Sequence, residues 1–344
     1  VVEGGGPEEG RAALPDRMGL GRGLAVGLVL AVVVYGAFVF YTDLDALREG
    51  LRRLRWEAFA LACGLSLGNY VLRWARWQRY LGALDVPLGV GRSVGVFGSG
   101  FVLTLSPGKV AELYKVALLR RHSPRPPEVA TGVAVVMAER LTDLVGMAIL
   151  FGVGLGVFPG AWPIAVGALA ALAFALVALT SSRLRARLVG WLRGGRTERL
   201  AVLLDGVFGS LGTLLRPRWL LEGSVLATLA WVLQAGALAI LVADLGGEGM
   251  TLVEASFTYS SATLGGVATF LPGGLGATEL GLAALVSRFA ELSPELASLA
   301  AILVRAATLW FAVLLGGLAW AALPKAPQPK APQPKAPVGP QRSK

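Results

Sequence analysis

Two short stretches put charged and helix-breaking residues where the surrounding chain is apolar: "SPGKVAE" at 106–112 and "FLPGGLGATE" at 270–279. Proline removes a backbone hydrogen bond and clashes with the preceding turn, while glycine tolerates the reversal. A helix restarting after such a break offers unpaired N–H groups and the positive end of its dipole, which suits an anion such as a phosphate headgroup. In the first stretch Ser106 can cap the new helix, Pro107 suits its first position, Gly108 completes the turn and Lys109 adds a positive charge. In the second, Gly273, Gly274 and Gly276 after Pro272 let a ligand come close to the backbone. Glu112 and Glu279 fit two roles: part of a binding site, or carboxylates that merely offset their own helix dipoles.

Further ions lie deep in apolar sequence. Glu139, Arg140 and Asp143 stand between the apolar runs 129–138 and 144–158, and Arg305 stands inside another. A charge at the bilayer centre costs about 2.5–3.5 kcal/mol even on the lenient insertion scale, so these side chains should face inward and pair. Glu139 and Asp143 share a helix face at i,i+4, and Arg140 is an i,i+3 neighbour of Asp143. The expected pairs come from Glu139, Arg140, Arg305, Glu112 and Glu279. They would form either a structural network or a polar path for a charged or zwitterionic headgroup. In "RWARWQRYLG" (73–82), Arg73, Arg76 and Arg79 alternate with Trp74, Trp77 and Tyr80. That pattern predicts an interfacial anchor of snorkelling arginines and an aromatic belt, with headgroup capture as the alternative.

Other chemistries find little support. One cysteine (Cys63) and one histidine (His122) leave no disulfide framework and no Cys/His metal cluster, and no cofactor is expected. His122, in the basic "RRHSPR" loop, reads as a solvated residue. Gly274-x-Gly276 is followed by Glu279 where a dinucleotide fingerprint needs Gly, and "PGK" at 107–109 lacks the rest of a Walker A loop.

The elements that must hold these residues follow from composition. The chain is 55% apolar and 16% charged, against about 25% charged for a soluble domain. Its mean hydropathy is +0.64. The net charge of +10 comes from basic residues at the ends of apolar runs, so nucleic acid is not an expected partner. Six crossings are read at about 22–41, 56–80, 129–158, 162–180, 218–243 and 297–323. Residues 1–20 read as disordered, the segment 21–323 as one transmembrane domain, and the Pro/Lys repeat at 324–344 as an extended cationic tail. The segment 181–217 is rich in arginine, whereas "FPGAWP" (158–163) has no charge; both termini are therefore placed in the cytoplasm. Residues 43–55 read as an interfacial amphipathic helix, and 200–215 could dip into the membrane.

Segments 91–120 and 252–290 are each two apolar halves split by Pro-Gly, which reads as a re-entrant hairpin. Their flanks keep register. Asn69 precedes Pro107 by 38 residues, as Gln234 precedes Pro272; Arg140 follows Pro107 by 33, as Arg305 follows Pro272. Repeats at about 56–158 and 218–323 start three crossings apart, an odd number, so the copies are inverted in the membrane. The expected fold is an all-α polytopic membrane protein of about six transmembrane helices and two re-entrant broken-helix hairpins in an inverted repeat. That is an architecture of secondary transporters.

"RWARWQRYLG", "SPGKVAELYKVALLR", "MAERLTD" and "FLPGGLGATELGL", in that order, resemble the membrane domain of bacterial lysylphosphatidylglycerol synthases, the multiple peptide resistance factors, and their stand-alone flippase-like relatives. The resemblance spans about residues 22–323. It implies a multi-pass protein of a bacterial-type plasma membrane that moves anionic, aminoacylated or glycosylated lipids between leaflets. Two alternatives stay open: a membrane glycosyl or lipid transferase using Glu139, Asp143 or Glu279 as base, or an accessory subunit of a separate synthase or transferase. In the full synthase an aminoacyl-transferase domain follows; here 21 residues of tail follow, so headgroup synthesis is not expected of this chain. The first motif departs from an Asn-Pro-Gly-Arg-x-Gly-Glu-like pattern, and Lys109 lacks the fork that a guanidinium offers phosphate.

Overall fold

The computed structural model describes residues 29, 32, 33, 36, 44–102, 104, 110–247, 249–269 and 271–324. Among them all regular structure is helical. A short helix α1 (Leu44–Arg53) precedes α2 (Trp56–Ala83); α3 (Val90–Val102) and α4 (Val110–His122) flank the first Pro-Gly stretch. Next come α5 (Val129–Val153), α6 (Trp162–Thr180), α7 (Ser182–Leu192), α8 (Glu198–Leu214) and α9 (Pro217–Asp244). The second broken segment holds α10 (Leu252–Ala268), a 3-10 turn at Pro272–Gly274 and α11 (Ala277–Ala290). Helix α12 (Pro294–Arg305) runs through one π-helical turn, Ala306–Trp310, into α13 (Phe311–Ala322).

Local chemistry explains where several helices begin. Pro163, Pro217 and Pro294 occupy first-turn positions, where the missing N–H costs nothing. Ser181 and Ser293 accept N–H bonds at the starts of α7 and α12. Thr251 and Glu254 form a reciprocal capping box for α10.

The two 28-residue helices α2 and α9, each about 42 Å long, form the central pair. Gly68 faces Leu233 and Gly236 faces Leu65, while Asn69 Nδ2 donates to the Ala230 carbonyl at 2.7 Å. These contacts run in opposite directions along the two helices, so the pair is antiparallel. Two apolar cores flank it. One, around Leu241, Val286 and Val304, belongs to α9–α12; the other, around Trp77, Leu119, Val135 and Leu211, belongs to α2–α5 and α8. Helix α3 packs on α13, and α10 packs on α5, so the first helix of each broken segment crosses to a helix from the other half of the chain. The α3–α13 contact depends on Gly316: a Cβ there would lie 2.8 Å from Val102 N and 2.9 Å from the Gly98 carbonyl.

By length and apolarity, three helical stretches among the described residues can cross a membrane: Pro159–Thr180, Pro217–Asp244 and Pro294–Ala322. Helices α2 and α5 are long enough as well, but both carry the mid-helix charges that drew attention in the sequence. The crossing expected at 22–41 lies outside the described residues apart from its helical Val29, Val32, Val33 and Gly36; residues 1–20 and the tail beyond Pro324 also lie outside. Residues 44–53 are helical as expected, and Gly50 is buried against Leu296 and Leu299 of α12. Segment 198–214 is a helix docked on α5. Helix α6 buries only Ala165 and exposes Trp162, Ile164, Phe174 and Val177, an apolar surface suited to lipid.

Candidate functional site

The break between α10 and α11 is built by three glycines with positive φ: Gly273 at 61°, Gly274 at 66° and Gly276 at 85°. Pro272 opens the turn, and α11 folds back so that Gly266 lies against Thr278 and Gly281 against Ala262. Glu279 sits in the first turn of α11, fully buried. Its Oε2 accepts the Gly276 N–H at 2.8 Å, and its Oε1 accepts Arg305 Nε at 2.8 Å. Arg305 Nη2 in turn donates to the Gly273 carbonyl at 2.6 Å. One guanidinium thus ties α12 to both the acid and the backbone of the elbow.

Arg305 is followed at once by the π-helical turn. Such a turn leaves backbone carbonyls off the regular ladder. Here the Thr308 carbonyl accepts the Tyr70 hydroxyl from α2 in a short hydrogen bond.

A second cluster joins α2, α4 and α5. Asp143 is buried and accepts Arg76 Nη2 at 2.8 Å and Arg73 Nη2 at 3.2 Å; Arg140 approaches it at 3.8 Å. Arg76 also donates to Thr142 Oγ1 at 3.1 Å. One turn back, Glu139 accepts Lys115 Nζ at 2.7 Å. The Lys115 ammonium lies 3.9 Å from the Trp77 ring centre and 4.5 Å from that of Phe97, a cation–π box closed by a carboxylate.

From the second cluster a chain of side chains leads across the central pair to α10. The Arg73 guanidinium lies 5.8 Å from the Trp231 ring centre, and Trp231 lies 6.1 Å from Tyr259. Tyr259 donates to Gln234 Oε1 at 3.3 Å. Several buried donors along this path lack an acceptor among the described residues: Arg73 Nε, Arg76 Nε, and the indole N–H groups of Trp77 and Trp231. Each unmade bond of this kind costs about 1–3 kcal/mol. Between α5 and α9 an apolar groove is lined by Ile149, Leu221, Ser224, Val225, Thr228 and Leu229. Among the described residues, no three His, Cys, Asp or Glu side chains converge to hold a metal ion.

The predicted residues divide accordingly. Arg305 and Glu279 come together with Gly273 and Gly276, whereas Glu139 pairs with Lys115, which the sequence reading passed over. Its signal was a lone Lys beside the apolar "VALL" of 116–119. Arg140 has an exposed side chain, at 55%, rather than the interior position its apolar context predicts. Pro107, Gly108 and Lys109 lie outside the described residues; Glu112 lies in α4, and its side chain is outside them too. The expected interfacial belt needs correction. Arg76 and Trp77 are buried at 1% and 0% exposure because Asp143 and the α3–α5 core draw them inward; Arg79 is the exposed member and pairs with Glu222. His122, expected in solvent, is buried at the end of α4.

No curated protein matches the chain. The family model described as "Lysylphosphatidylglycerol synthase TM region" matches residues 24–316, which includes every helix of both clusters. On that match, and on its apolar helices, the chain is a membrane protein belonging to the lysylphosphatidylglycerol synthase transmembrane-region family, with a lipid-related role.

Proposed function

We propose that this chain carries the polar headgroup of a phospholipid or lipid-linked sugar between the two leaflets while the acyl chains stay in the bilayer. The observation that carries the reading is the Arg305–Glu279 pair, buried and closed onto the Gly273 carbonyl at a glycine-lined break. Burying an ion pair rarely adds stability over an apolar replacement, so its position at a helix break favours a role in handling charge. Non-helical backbone at membrane depth needs protein cover or a wet cavity, which fits re-entrant hairpins lining a path. The paired packing of α3 on α13 and α10 on α5, with Asn69 and Gln234 at matching places in the central helices, supports an inverted repeat. By sequence offset Arg140 would correspond to Arg305, while Glu112 and Glu279 follow their prolines by five and seven residues, so matching the two acids requires a two-residue insertion in the second half. A bacterial-type plasma membrane with both termini cytoplasmic, and a separate synthase supplying the lipid, complete the proposal.

The test is movement of a labelled anionic or aminoacylated phospholipid in proteoliposomes. Wild type should equilibrate the label across the bilayer. Glu279→Gln, which keeps an acceptor for Gly276, should slow this while the protein still elutes as one helical species. Equal rates in a well-folded variant would remove Glu279 from the path.

A further inference from the structure

We propose that Arg73, Arg76 and Trp231 form a binding subsite for a phosphate group, separate from the Arg305–Glu279 elbow. It deepens the headgroup reading above and rests on it for the source of the phosphate. Charge comes first: among the described residues, two guanidiniums share the single carboxylate of Asp143, and Lys115 and Glu139 beside them balance each other, which leaves an excess of positive charge in this cluster. An excess buried cation attracts an anion more strongly than it would in water. Hydrogen bonding points the same way. Arg73 Nε, Arg76 Nε and Trp231 Nε1 are buried donors without acceptors among the described residues, and an ionised phosphodiester supplies oxygen acceptors and no donor. Arg76, at 1% exposure, holds Asp143 and Thr142 from the inside, while the Arg73 side chain is 20% exposed and supplies the reachable edge. Trp231 closes the other side of Arg73 with its ring face.

The surroundings favour a lipid over free phosphate. One helical turn before Trp231, Thr228 lines the apolar groove between α5 and α9, and Ile149 of the same groove follows Asp143 by six residues on α5. A phosphate on Arg73 and an acyl chain in that groove would be neighbours.

Equilibrium binding to the full-length protein in a nonionic detergent tests this, with three probes: short-chain phosphatidylglycerol, diacylglycerol of the same chain length, and inorganic phosphate. Wild type should bind phosphatidylglycerol at least about tenfold more tightly than diacylglycerol, the scale of one charge-assisted contact. Arg73→Gln should remove most of that difference, and Arg73→Lys, which keeps the charge but not the fork, part of it. Trp231→Phe keeps the ring and all Asp143 contacts, so it guards against misfolding; several-fold weaker phosphatidylglycerol binding is expected. Arg79→Gln, on the same helix but paired with Glu222, should bind as wild type. Inorganic phosphate that competes as well as the lipid would support the subsite and assign it to a free anion. Phosphatidylglycerol binding unchanged in both Arg73→Gln and Trp231→Phe overturns the proposal, as does equal wild-type affinity for diacylglycerol. Because binding is read without transbilayer movement, a protein that binds but does not transport refutes only the transport reading.

Discussion

Removing both partners of the Arg305–Glu279 pair should destabilise the protein by about as much as removing either one alone. The charges meet at 2.8 Å, with Glu279 fully buried and the Arg305 side chain 9% exposed. At an effective dielectric of about 20 their attraction is about 6 kcal/mol, most of which offsets desolvation. Glu279→Gln removes the counter-charge of a buried guanidinium that keeps its bond to the Gly273 carbonyl, and a loss of about 3–5 kcal/mol is expected. Arg305→Met removes the counter-charge of a buried carboxylate that keeps its bond from the Gly276 N–H, with a loss of similar size. The double variant strands no charge, so its loss should stay near that of one single variant, a coupling of about 3 kcal/mol. Reversible unfolding in mixed micelles against increasing sodium dodecyl sulfate measures all four corners of the cycle. Additive losses within about 0.5 kcal/mol would refute the argument, because uncoupled residues add.

Three further outcomes follow from other parts of the molecule. Gly316→Ala should cost about 1–3 kcal/mol, because its Cβ would strike the backbone of α3. Gly317→Ala, with nothing within 4 Å, should be neutral or slightly stabilising in the same assay. In a Cys63→Ala background, an impermeant maleimide should label Gly160→Cys in intact cells and Gly190→Cys only after lysis; the reverse would invert the topology. His122 is held below its usual pKa first by burial and then by Arg121 and Arg92. The unfolded chain therefore takes up a proton that the folded one resists, so stability is level above about pH 6.5 and falls as pH drops below it. His122→Gln should flatten unfolding midpoints measured between pH 7.5 and 5, and an unchanged slope would exclude His122 as the cause.

The elements were legible where physics acts locally. Apolar length placed α2, α5, α6, α9 and the α12–α13 stretch, and Pro-Gly chemistry placed the break between α10 and α11. Arg305 and Glu279 could be placed in one set of pairing ions, without being matched to each other, because a lone charge in apolar sequence must find an opposite one. The belt at 73–82 misled because Arg and aromatic residues alternate the same way in a lipid-facing anchor and in a buried cation–π core. Only the three-dimensional placement of Asp143 and Phe97 separates the two. Lys115 was missed for a related reason: its partner Glu139 lies on another helix, 24 residues away, and no local spacing reports that contact.

The carboxylate of Glu279 divides its labour, with one oxygen on the Gly276 amide and the other on Arg305. If incoming cargo lured the guanidinium away, the first tether would persist. The elbow could then surrender its counter-ion without unravelling, and the same fold would stand ready to reclaim it once the passenger had gone.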